Sequence, residues 1–163
     1  MRKLAFLAPL GAVLAVAGAA AADPASVTVT LGPDLQDKAE ALGRRDVDQQ
    51  ADRLAEVVRR ALNRDRGLDG ARVDLVLTDL RPNRPTFEQM AHQPGLDGHR
   101  SVSIGGATIE GSITTADGQV LPVRYDWYSN SIAEVRGYTT WYDADRAYQR
   151  LASRLADGRY VSR

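Results

Sequence analysis

The sequence has no cysteine. That excludes disulfides, thiolate metal sites, a redox dithiol, a cysteine nucleophile and a lipid-anchored cysteine. It also has no net charge, with 21 basic against 21 acidic residues. A strong field for polyanions is therefore not expected, and nucleic acid is not an expected partner. Two catalytic signatures are missing as well. No G-x-S-x-G elbow is present to raise a nucleophilic serine, and Gly105, Gly106 and Gly111 do not make a G-x-G-x-x-G dinucleotide loop. After residue 22 no apolar run is long enough to span a bilayer. What remains, 163 residues at 44% hydrophobic and 26% charged, has the length and make-up of one globular domain.

The first 22 residues follow a different pattern. Arg2 and Lys3 precede the uncharged run of residues 4–17, and the small residues up to Ala22 follow, before Asp23 and Pro24. Basic start, apolar middle and an A-x-A site at Ala20 and Ala22 are the order of a secretory signal peptide. Cleavage is expected between Ala22 and Asp23, giving a periplasmic domain of residues 23–163 with no membrane span after cleavage. Loss of Arg2 and Lys3 leaves 19 basic against 21 acidic residues, a formal charge of −2, with Lys38 the one lysine.

Periodicity predicts the elements of that domain. Val27, Val29 and Leu31 alternate in a strand over 26–31. Residues 34–43 read ambiguously as a short helix. Val47, Ala51, Leu54, Val58, Ala61 and Leu62 mark a helix over 46–64, with Asp46 as its cap. Its other face alternates acids with arginines, as a solvated face does. A strand is expected over 71–80, then a long Pro- and Gly-containing loop over 81–99 with one helical turn in it. A third strand over 100–115 changes apolar parity at Gly105-Gly106, which predicts a bulge there. Asp117-Gly118 signals a hairpin into a fourth strand over 119–128. A last helix over 143–157 has Asp143 as cap and Gly158 at its end. The predicted fold is a two-layer α+β sandwich in the order β-α-β-β-β-α. Two helices cover one face of a mostly antiparallel four-stranded sheet.

The ending W-x-D-A-D-R-A-Y, from Trp141 to Tyr148, resembles the last helix of exported proteobacterial families. These are envelope lipoproteins and periplasmic proteins built as one small α+β domain of unknown function. The resemblance implies this fold and an envelope location, and it offers no reaction. The lipid-attachment cysteine of many such relatives is missing here.

Few residues point to chemistry. His92 and His99, with Asp97 between them, form a His-x6-His spacing in a Pro/Gly loop, which fixes no ligand geometry, so no metal and no cofactor are expected. Asp74, Asp79, Glu110, Asp126, Asp143 and Asp145 offer no selected carboxyl pair. Ser101 and Ser103 near His99 make no nucleophile arrangement. Two features stand out as binding surfaces. Arg81 and Arg84 sit in a proline-stiffened turn that opens the long loop, placed either to grip an anion or to tie the loop to Asp79 and Glu88. Tyr128, Trp141 and Tyr142 are aromatics that fit the predicted core faces poorly or lie beside them. The expected function is a non-catalytic binding or accessory protein whose partner is an envelope protein or cell-wall component. The alternatives are a periplasmic hydrolase of an envelope polymer and a structural assembly subunit that uses the open sheet face.

Overall fold

A computed structural model describes residues 25–65, 67–135 and 138–160. The expected signal peptide and the Ala22–Asp23 cleavage site lie outside the described residues. Within them the elements run β1 (Ser26–Leu31), α1 (Pro33–Leu42), α2 (Arg44–Asp65), β2 (Arg72–Arg81), α3 (Phe87–His92), β3 (Gly106–Thr114), β4 (Val120–Tyr128), a 3₁₀ turn (Ile132–Val135) and α4 (Tyr142–Ala156). The architecture is α+β, with a four-stranded open sheet in the order β1-β2-β3-β4.

Three expectations need correction here. The element order contains two further α-helices, α1 and α3. The sheet is mixed: β1 and β2 pair in parallel, while β2–β3 and β3–β4 are antiparallel. The cause is the connection, because α1 and α2 carry the chain back to the starting end of β1, and a parallel pair needs such a crossover. The bulge lies in β2, where the register against β3 shifts between Leu77 and Asp79. β3 begins only at Gly106, so Val102 and Ile104 stand outside the sheet, and Ile104 is exposed.

One apolar cluster holds the domain together. Val73, Leu75 and Leu77 of β2, Ile109 and Ile113 of β3, and Val123 and Tyr125 of β4 share it with Leu54 and Val58 of α2 and Leu151 and Leu155 of α4. Leu35 and Ala39 of α1 join the same core. Removing such apolar area from water is the main stabilising contribution. The other sheet face carries Thr28, Thr30, Thr108, Glu110, Ser112 and Arg124, a polar surface set by the period of two.

The ends of α4 are fixed in different ways. At its C-terminus Gly158 adopts φ +72°, and the amides of Gly158 and Arg159 bond the carbonyls of Leu155 and Arg154. This is the left-handed close that glycine permits at low cost. At its N-terminus Trp141 occupies the cap position without a side-chain cap bond. Asp143, the expected cap, lies inside the first turn and is fully buried. The helix is capped from a distance by Asn83, whose Oδ1 accepts from the Asp143 amide at 2.8 Å and whose Nδ2 donates to Asp143 Oδ2 at 2.5 Å. In the same way α2 begins at Arg44, two residues before the expected cap at Asp46.

Candidate functional site

The sequence-predicted residues gather where the 81–105 segment, the end of β4 and the start of α4 meet, but they do not form one pocket. Arg84 lies inside the loop. Its Nε donates to the Tyr138 carbonyl at 2.6 Å, and its Nη1 donates to the carbonyls of His99 at 2.6 Å and Gly98 at 3.2 Å. It thus ties three backbone points together. Glu88 pairs instead with His92, at 2.7 Å.

Arg81 ends β2 on the polar face. Its Nε bonds Asp79 Oδ2 at 3.0 Å, and its guanidinium lies 4.8 Å from the centre of the Tyr128 ring. The register explains the stack. Arg81, Gly106 and Tyr128 are paired across three strands. A Cβ at Gly106 would come within 2.2 Å of the Trp127 carbonyl oxygen and 2.5 Å of the Tyr128 ring, so glycine permits this close approach of β4. The neighbouring Gly105 has a similar task, since a Cβ there would lie 2.6 Å from Asn83 Oδ1. The Gly105-Gly106 pair therefore serves two close approaches and makes no bulge.

The Tyr128 hydroxyl donates to Asp79 Oδ2 at 2.9 Å and lies 2.7 Å from Thr108 Oγ1, while Lys38 reaches Asp79 Oδ1 at 3.3 Å. Burial alone raises the Asp79 carboxyl. The hydrogen bonds from Tyr128 and Lys38, with the charges of Lys38 and Arg81, outweigh it and hold the carboxyl below its ordinary range. Burial, with the bond to and charge of Asp79, pushes the Tyr128 phenol up to about 12. Asp97 is held low by the amides of Arg100 and His99, and Asp117 by the Thr115 hydroxyl and the Gln119 amide. These three downward shifts run opposite to what a general acid needs. Among the described residues no group of three His, Cys, Asp or Glu side chains is placed to hold a metal ion.

Trp141 is half-buried and lines a cleft of about 590 Å³ with Pro85, Phe87, Met90 and His99. Tyr142 is exposed and stacks on Tyr138, with ring centres 3.9 Å apart at 26°. Next to Tyr142 the predicted residues join a feature that the sequence reading missed. Arg146, Arg150 and Arg154 recur every four residues on α4, and the row lies over the aromatic row of β4. The Arg146 guanidinium is 5.1 Å from the Trp127 ring centre and 5.9 Å from that of Tyr142. Arg150 is 4.6 Å from Trp127, and Arg154 is 5.7 Å from Tyr125. Among the described residues neither Arg146 nor Arg150 pairs with a carboxylate. Beside them the buried Ser129 Oγ has no hydrogen-bond partner. The i,i+4 spacing of these arginines is visible in the sequence, but their placement over the β4 rings is not. Asn83 left no comparable trace, because its buried partner lies 60 residues away.

In comparisons with known proteins, no family model matches the chain and no match is found among curated proteins.

Proposed function

We propose that this chain is an exported, non-catalytic binding or accessory protein of the bacterial cell envelope, acting in the periplasm after removal of its leader. Its binding surface is the rim formed by α4 and the end of β4, where Arg146 and Arg150 face an anionic envelope component. The observation that carries this reading is the pair of guanidinium groups held over Trp127 with no carboxylate partner among the described residues. The ring fixes the arginine planes by cation–π contact and leaves their edge N–H groups to a ligand. Tyr142 flanks Arg146, while Tyr128 and Arg81 stack on the opposite face of the sheet. The basic, apolar, small-residue order of the first 22 residues supports export.

The test uses the tagged full chain in a Gram-negative host. It is expected in the periplasmic fraction with Asp23 as its first residue. Retention on washed envelopes should fall in Arg146→Gln and Arg150→Gln and persist in Arg159→Gln. An intact leader on the bulk protein, or retention indifferent to both arginines, would overturn the reading.

A further inference from the structure

The rim of α4 contains a recess lined by two arginines and an asparagine. It encloses about 300 Å³ between Trp127, Tyr128, Ser129, Asn130, Arg146 and Arg150, a volume at the small end of ligand sites. Its two charged groups are both cations, and neither has a carboxylate partner among the described residues. Ser129 also lines it, but its Oγ is closed off from solvent, so the donors open to a ligand are those of Arg146, Arg150 and Asn130.

We infer that this recess is a binding site for a phosphate monoester. The argument rests on the number and spread of the donors. A carboxylate is planar, and a single guanidinium fork can satisfy both of its oxygens. Here two forks stand one helical turn apart, with Asn130 at the edge. A terminal phosphate group presents three oxygens in different directions and up to two negative charges, which suits a pair of cationic forks. The ring faces of Trp127 are covered by the arginines, so the pocket offers no bare aromatic platform for a neutral sugar. The monoester can be a soluble phosphate or the headgroup of a phosphatidic-acid lipid, and the pocket chemistry is the same for both. This assignment rests on the binding function proposed above and narrows it to a ligand class.

The experiment titrates the purified full chain at constant ionic strength. Inorganic phosphate, glycerol 3-phosphate and acetate are compared by calorimetry, and phosphatidylcholine vesicles with and without phosphatidic acid are compared by co-sedimentation. Saturable binding of the two phosphates with acetate at least tenfold weaker is expected. Arg146→Gln and Arg150→Gln should each weaken it at least tenfold, and Arg159→Gln not at all. Arg150→Lys, which keeps the charge and loses the fork, should recover only part of the affinity and guards against misfolding of the neutral variants. Binding of phosphatidic-acid vesicles beyond that of free phosphate assigns the lipid source, and equal or weaker binding assigns the soluble one. Equal affinity for acetate, absence of saturation with every phosphate probe, or affinities unchanged in the arginine variants would overturn the site. Arginine-dependent envelope retention alongside failed phosphate binding would remove this inference alone and leave the broader binding function standing.

Discussion

Arg84 gives its N–H groups to the carbonyls of Tyr138, Gly98 and His99, whereas Arg150 lies over the Trp127 ring and pairs with no carboxylate among the described residues. Both are single arginines near an aromatic cluster, and residue type does not separate them. Their surroundings do. Arg84 is directed inward, and each bond it makes fixes a different part of the chain, so a ligand could take its donors only by loosening the loop. Arg150 is exposed, and its guanidinium lies over the Trp127 ring. An arginine bonded to several carbonyls belongs to the frame. One stacked on a ring, with no carboxylate partner among the described residues, is the kind that the proposed function assigns to a ligand.

The largest effect should come from the frame itself. Asn83 is fully buried and holds the carboxyl and amide of Asp143, so its loss strands a buried carboxyl and opens the cap of α4. Asn83→Ala is expected to cost about 3 kcal/mol in urea unfolding. A cost under about 0.5 kcal/mol, the size of a neutral surface change, would show that the frame is not held there. Arg84→Ala should come next, at about 2 kcal/mol for charged donors to three carbonyls. Arg84→Lys should recover little of it, because one ammonium cannot reach points that a fork spans. A full recovery by lysine would make Arg84 a simple counter-charge and weaken the contrast with Arg150.

The two arginines also differ in how far the sequence announces them. Regular elements were legible wherever apolar residues repeat with one period. The alternation of Val27, Val29 and Leu31 and the stripe through Leu54 and Val58 appear as β1 and α2. Legibility ended at long-range pairing. The parity change at Gly105-Gly106 reads locally as a bulge, yet the glycines answer to Asn83 and Tyr128, which are distant in sequence. Arg84 was visible as an arginine in a stiff turn, but its three carbonyl partners lie 14, 15 and 54 residues away. The α4 arginines needed the placement of β4 beneath α4, which no local pattern supplies.

Arg81 is the intermediate case, since it has both a counter-ion and a ring. Asp79→Asn keeps an acceptor for Tyr128 and removes the charge shared by Lys38 and Arg81. The fold holds Asp79 below its ordinary value of 3.8, so its stabilising contribution is present above that pH and is lost as the pH falls through the folded value. The variant should therefore be about 1 kcal/mol less stable at neutral pH and match the parent in acid, where the parent carboxyl is protonated. Thermal unfolding across that range reads both limbs. A difference that persists in acid would mean that shape, and not charge, matters at Asp79.

The smallest stability effect is expected at Arg150, and there its sign matters more than its size. Arg150 has Arg146 and Arg154 one turn to either side, and like charges at that spacing oppose the helix by about 0.2–0.5 kcal/mol per pair. Its contact with Trp127 contributes about 0.5–1 kcal/mol in the other direction. The two nearly cancel, so Arg150→Gln should change stability by less than about 0.5 kcal/mol. Salt separates them, because screening weakens charge repulsion between exposed groups. Added sodium chloride should therefore raise the melting point of the parent more than that of the variant. If salt shifts both alike, the arginine row carries no stored repulsion, and its arrangement over the β4 rings needs no reason beyond covering them. If the parent gains more, the helix retains a repulsion that its own folding does not require, as expected of a row kept for an anionic partner.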